Sequence, residues 1–422
     1  MSEADLLIRR ARMLTLGDHP EAPLVGAAMG ELGVVADGWL AARSGVITAV
    51  GDGMGWRNLT LAEGAVVRDL GGRVLLPGFV DPHTHLCYGG QRWDEFAARR
   101  GGGDYLRLLA GGGGIHATVR ATTEASEAEL HALLVDRLRR AATLGTTTIE
   151  VKSGYGLEPA EELRQLRLIA KARRSVSIDV SPTYLAAHAL PPSLASDRSG
   201  FLERAAATVA VVSAERLAES VDAFVERGVF SVDEVRPLAA AARRAGLTVR
   251  LHADQLNDVG ACSFAAEIGA GSADHVSQAS DAGLLALARA GVPAVLLPGS
   301  SLFVGYPAPD FARFASAGVA VAIGTDHNPG TSPLEGMPTA IALAVSLCRL
   351  TPQQAIAAAT LNAAHALGRG GITGALVPGR RADLITLETD DERELAYRLG
   401  VRLIDEVYAA GRLVPRSVHM SV

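Results

Sequence analysis

His83 and His85 stand two residues apart in Pro-His-Thr-His, directly after an apolar run from Val74 to Val80. On an extended strand, side chains at i and i+2 face the same side, so both imidazoles can reach one ion. The spacing alone also fits two ordinary histidines near a turn. Three more residues stand in comparable places, each closing a β-rich run: His252 in Arg-Leu-His-Ala-Asp, His275 in Ala-Asp-His-Val and Asp326 in Gly-Thr-Asp-His-Asn. Imidazole and carboxylate donors suit zinc or iron, and such an ion lowers the pKa of a bound water toward ~7, making it a hydrolytic nucleophile. His131 and His365 lie in helical stretches and are expected to be hydrogen-bonded core residues instead.

Such a set needs a scaffold that gathers strand ends. From Leu75 onward, β-rich apolar runs alternate with longer stretches of Ala, Leu, Glu and Arg, the pattern of a parallel sheet with helical crossovers. Strands are predicted at approximately 74–81, 146–152, 177–186, 221–225, 248–253, 272–276, 292–298 and 319–326. Eight strand–helix units predict an α/β fold, a (β/α)8 TIM-like barrel, whose C-terminal rim would collect the polar set. Ser231 with Glu234, and Thr351 with Pro352 and Gln354, mark helix starts.

From Asp5 to about Val74, short apolar runs broken by Gly and Asp predict small strands and hairpins, as in Leu40 to Val50 around Arg43-Ser44-Gly45. Strands are expected again at 382–388 and 405–414. The expected organisation is a barrel over 74–369 and a small β-sandwich assembled from both chain ends, 1–73 and 370–422. Glycines at 101–103 and 111–114 predict a flexible surface loop or an active-site lid, and neither cluster has the Gly-Lys-Ser/Thr ending of a phosphate cradle.

A chain of 422 residues with 48% hydrophobic and 20% charged residues has the apolar material for a large core and too little charge for disorder. A net charge of -6 without a long basic run argues against nucleic acid or an anionic membrane as partner. Cys87, Cys262 and Cys348 are too scattered for a disulfide framework or a Cys-rich zinc site and suit a reducing cytoplasm. No stretch has the length and apolarity of a membrane span or of a signal h-region, so a soluble cytoplasmic protein is expected.

The run Leu-Pro-Gly-Phe-Val-Asp-Pro-His-Thr-His, followed by His252, His275 and Gly-Thr-Asp, resembles the amidohydrolase superfamily. Residues 374–384, Gly-Ala-Leu-Val-Pro-Gly-Arg-Arg-Ala-Asp-Leu, resemble that superfamily's return into its β-sandwich. Within it the longer likeness is to the imidazolonepropionase family, carried by Gly89-Gly90-Gln91-Arg92, Glu150 to Gly156, Thr183 to Pro191 and Thr325 to Thr331. The resemblance extends over nearly the whole chain. It implies opening of the ring of 4-imidazolone-5-propanoate, one metal ion per subunit, zinc or iron, held by His83, His85, His252 and Asp326, and a homodimer.

Relatives with two metals bridge them through a modified lysine on the fourth barrel strand, and residues 221–225 contain none. Lys152, at the end of the second strand, is expected to pair with a nearby carboxylate. The resemblance assigns Arg92 to the substrate's carboxylate, which a planar guanidinium fork matches. It assigns Tyr155, His188, Asn328, Gly330 and Thr331 to other substrate contacts; taken alone, Arg92 is equally a surface arginine and Tyr155 a turn residue. Several relatives carry Glu three residues after the fifth-strand histidine, where this chain has Gln255. An amide can hydrogen-bond the ring but cannot take a proton, so Asp326 and His275 are the groups left for base and orienting roles. The rival expectations are an aminohydrolase of a nucleobase or cyclic amidine, which would not need Arg92, and a non-enzymatic scaffold, which would not need the full ligand set.

Overall fold

A computed structural model describes residues 3–100 and 113–416; the glycines at 101–103 and 111–112 lie outside the described residues. The chain opens with β1 (Ala4–Leu14), β2 (Val34–Arg43), β3 (Val46–Asp52), β4 (Leu61–Asp69) and β5 (Val74–Pro77). Eight parallel strands follow: β6 (Phe79–Asp81), β7 (Thr146–Lys152), β8 (Asp179–Ala187), β9 (Ser220–Val225), β10 (Thr248–Ala253), β11 (Ser272–His275), β12 (Ala294–Leu296) and β13 (Val321–Ile323). The C-terminal part returns as β14 (Leu384–Leu387), β15 (Ile404–Ala409) and β16 (Arg412–Leu413). Strands β6 to β13 pair in sequence order, with at least one helix between each consecutive two, in an α/β barrel. The strands from the two chain ends form a separate eight-stranded sheet, in which β14 pairs antiparallel with β5 and β5 pairs parallel with β1.

Parallel strands covered by helices bury both faces, and β7 is buried at every position although it reads Thr-Thr-Thr-Ile-Glu-Val-Lys. Both helix-start signals form capping boxes, Ser231 with Glu234 and Thr351 with Gln354, each pairing two otherwise unsatisfied backbone donors.

The expected strand over 74–81 is two strands belonging to two sheets. The break falls at Pro77-Gly78, where Pro77 has no amide hydrogen, Gly78 donates to the Asp383 carbonyl at 2.9 Å, and a Cβ at Gly78 would collide with Thr147. The chain end beyond β6 then closes the barrel. Asp326 N–H donates to His83 O and His85 N–H to His327 O, both at 3.0 Å, and Thr84 bridges to His327 as in a parallel ladder. The run His83-Thr84-His85 is thus an extended continuation of the first strand, so its side chains alternate. Thr84 turns away, its hydroxyl donating to Glu150 O at 2.6 Å, and the two histidines share the other side.

Candidate metal centre

At the rim, His83 Nε2 lies 3.3 Å from His85 Nε2, which lies 3.4 Å from His252 Nε2. Asp326 Oδ1 is 3.6 Å from His83 Nε2 and 3.5 Å from His85 Nε2. All four side chains are buried. His275 joins His83 and His252, and His188 joins His85 and His252, in overlapping clusters whose ligating atoms lie within 4.8 Å of one another. The geometry therefore brings together every rim residue singled out in the sequence and adds His188.

Two of these residues leave regular strand geometry. His275 has φ 72° and Asp326 φ 52°, left-handed values that end the strand alternation and swing consecutive side chains toward one point.

Behind the imidazoles stands a ring of carboxylates that the sequence analysis did not single out. His83 Nδ1 lies 2.6 Å from Asp274 Oδ2, and His252 Nδ1 lies 2.9 Å from Asp222 Oδ2. Lys152 Nζ, fully buried, lies 2.9 Å from the same Asp222 oxygen and 2.7 Å from Glu150 Oε1, the carboxylate pairing expected of it. Glu150 Oε2 accepts the N–H of Thr84, the residue between the two paired histidines, at 3.0 Å. Asp81 accepts the N–H and the hydroxyl of Thr325, next to Asp326, at 3.0 and 2.6 Å.

Burial holds His83, His85 and His275 well below the usual histidine range, so they are neutral. Burial pushes Asp326 up to about 7, against the pull of His252 and an Asn328 hydrogen bond. Asp222 experiences the same upward push, yet His252 and Lys152 hold it well below the carboxylate range. The Lys152 ammonium is disfavoured by burial, and Asp222 and Glu150 more than restore it.

The donor set fits a metal ion. With the Nδ1–H of His83 donating to Asp274, Nε2 of His83 is left with a lone pair aimed at neighbouring nitrogens, and Asp326 Oδ2 has no hydrogen-bond partner among the described residues. A cation between them relieves both conditions.

The cluster forms the floor of a cavity of about 280 Å³ lined also by Arg92, Tyr155, His188, Gln255, Asn328 and Thr331. Buried Tyr155 follows β7 in the loop Ser153–Leu157, whose N–H groups at Gly154, Gly156 and Leu157 all donate to Glu162, at 2.9, 2.8 and 2.7 Å. His188 stacks on His85 with centroids 5.0 Å apart and contacts Gly154 O through Nδ1 at 2.9 Å, and burial lowers it to about 3. Gln255 Nε2 is 3.4 Å from the Tyr306 hydroxyl. Asn328 spends its amide on its own loop: Oδ1 accepts from Gly330 N, Thr331 N and the Thr331 hydroxyl, and Nδ2 donates to Asp326 O. Gly330 abuts Arg92, where a Cβ would collide with Nη1.

Among the histidines set aside, His365 is hydrogen-bonded as expected, to the Pro20 carbonyl at 3.0 Å, but it is half-buried rather than in the core. His131 departs from expectation: it is half-buried and its Nε2 has no partner among the described residues, because it lies at the helix flank rather than in the core. Cys87, Cys262 and Cys348 are free and buried. No helix among the described residues is long and apolar enough to cross a membrane.

The chain belongs to the amidohydrolase family, whose profile matches residues 74–414. That family is metal-dependent, and the histidine cluster described above lies within the matched span. Within the family it belongs with the imidazolonepropionases. It is 42% identical over 413 residues to the imidazolonepropionase of Geobacillus thermodenitrificans, covering 97% of both chains. It is 43% identical to that of Symbiobacterium thermophilum, with 98% of both covered, and 44% identical to that of Deinococcus radiodurans, with 92% and 95% covered. Among solved structures, an adenosine deaminase from Xanthomonas campestris with bound zinc superposes with a TM-score of 0.73 at 20% identity, covering 98% of this chain and 93% of that one. A 5-methylcytosine deaminase from Klebsiella pneumoniae gives 0.71 at 18% identity, covering 99% and 100%. These two share the fold.

Proposed function

We infer that the chain hydrolyses the ring C–N amide bond of 4-imidazolone-5-propanoate to N-formimidoyl-L-glutamate, a step of histidine degradation. The observation that carries this is one cavity that pairs a four-donor metal cluster with the guanidinium of Arg92, in a chain similar to imidazolonepropionases over almost its whole length. One zinc or iron ion would be held by His83, His85, His252 and Asp326. When bound, the ion supplies an acidified water as nucleophile.

The chain's own residues do the rest. Asp326 would take a proton from the attacking water and return it to the leaving ring nitrogen. Neutral His275 orients the attacked carbonyl and hydrogen-bonds its oxygen as negative charge develops. Gln255 hydrogen-bonds the ring without exchanging protons. Arg92 grips the propionate, and a planar fork recognises it better than an ammonium would. With Nδ1 donating to Gly154 O, His188 offers Nε2 as acceptor to a ring N–H. Tyr155 presents a hydroxyl that burial keeps protonated. Thr331 and Gly330 border the propionate, and Asn328 shapes their loop.

The barrel that begins at β6 would carry this site, with β1 to β5 and β14 to β16 as the small β domain beside it. A cytoplasmic homodimer without nucleic-acid or membrane partners accords with the free buried cysteines and the absence of a long basic run. The test is to add 4-imidazolone-5-propanoate to metal-loaded protein and follow loss of the ring chromophore. Turnover supports the assignment; no turnover, with deamination of a nucleobase instead, overturns it.

A further inference from the structure

Arg92 is held by a second residue in the cavity wall. Its Nε and Nη2 both donate to one oxygen of Glu95, Oε2, at 3.0 and 2.8 Å. The other oxygen, Oε1, accepts the N–H of Gly114 at 2.9 Å. Gly114 caps the helix Ile115–Glu124 with φ 70°, a conformation suited to glycine, and Ile115 lines the same cavity as Arg92. One carboxylate therefore ties the guanidinium to the start of a helix that is itself part of the cavity wall. The pair is well shielded, with side chains 11% and 13% exposed.

A guanidinium has two edges that can take a carboxylate in a fork: Nε with Nη2, and Nη1 with Nη2. Glu95 occupies the first. The Nη1 side lies against Gly330, whose loop is shaped by Asn328. The planar group is thus fixed from both sides, and a long side chain that would otherwise lose rotamer entropy on binding is ordered beforehand.

We propose that Glu95 is a positioning residue for carboxylate recognition. It takes up the Nε and Nη2 edge of Arg92, fixes the plane of the guanidinium and so sets where a substrate carboxylate is held relative to the metal cluster. This rests on the assignment of Arg92 to the propionate. On this proposal Glu95 acts on the substrate carboxylate through Arg92, so its effect on KM must vanish when Arg92 is absent and when the substrate has no carboxylate.

The experiment is steady-state kinetics on full-length, metal-loaded protein, with 4-imidazolone-5-propanoate and with an analogue bearing a neutral amide in place of the carboxylate. Glu95→Ala, Glu95→Gln, Arg92→Ala and the Glu95→Ala/Arg92→Ala double variant are compared. For the carboxylate substrate, Glu95→Ala should raise KM about ten-fold with a much smaller change in kcat, and Arg92→Ala about a hundred-fold. Glu95→Gln, which keeps one acceptor, should recover most of the loss and also serves should Glu95→Ala fold poorly. The neutral analogue should not distinguish Glu95→Ala from the parent, and the double variant should match Arg92→Ala. An unchanged KM in Glu95→Ala, or an equal rise in the Arg92→Ala background, overturns the proposal while leaving Arg92 in place. A lowered KM would make Glu95 a competitor for the guanidinium and also overturns it. No effect of Arg92→Ala on the carboxylate substrate removes the assignment and the proposal together.

Discussion

The metal-facing wall of the cavity takes His85, His188, His252, His275 and Asp326 from the ends of barrel strands, whereas Arg92, Tyr155 and Thr331 come to the cavity from loops. The two are stiffened by different means. Behind the strand-end wall, charged side chains face one another: Asp274 backs His83, Asp222 backs His252, and Lys152 joins Asp222 to Glu150. In the loop wall, acceptor side chains chiefly gather backbone N–H groups, as Glu162 does for residues 154, 156 and 157 and Asn328 for 330 and 331, with the Arg92–Glu95 pair as its charged contact. Fixed charges suit a centre where donor atoms must converge within tenths of an ångström. Backbone gathering suits a surface that must present a shape to a ligand.

This division predicts separable failures. The largest is expected from Asp326→Asn, which should keep the far-UV circular dichroism of the parent while kcat falls by about 10³-fold or more. Near-parent turnover in metal-replete protein would contradict its role. Next is Lys152→Met, which leaves Asp222 and Glu150 buried without their cation. Urea unfolding should show a loss of about 3–5 kcal/mol, with KM of any surviving enzyme little changed. Asp274→Asn should weaken metal binding by about 10–100-fold in competition with a chelating dye. A change in KM with unaltered metal affinity would erase the distinction between the walls. The smallest effect is expected from Gly330→Ala. The added methyl must displace Arg92 Nη1, raising KM for the carboxylate substrate by about five-fold, on the order of 1 kcal/mol, with metal affinity intact.

The strand-end wall was the more legible in the sequence, because period-two spacing and apolar runs ending in His or Asp survive translation into strand ends. The parallel alternation and both capping boxes were legible for the same local reason. The supporting carboxylates were not. Asp222 and Glu150 sit within strands and read as ordinary polar residues, and their meaning arises from pairings across neighbouring strands. Asp274 was hidden differently: strict alternation would send it away from the side of His275, and only the left-handed turn at His275 lets both serve one centre. The break at Pro77-Gly78 was visible as residues, yet the apolar run continues across it and masked the change of sheet. Glu95 gave no signal, since an acidic residue three positions after an arginine at a helix start is common on surfaces.

That break has a consequence for the order in which the protein can be made. Strand β5 leads directly into the strand that carries His83 and His85, and its antiparallel neighbour is β14, about three hundred residues later. As the chain leaves the ribosome, the barrel's first strand emerges early with β1 available to one side of β5, but the seam on its other side is sewn only after residues 384–387 follow. The opening ligands of the centre are synthesised early, while the contacts that close the barrel around them form late.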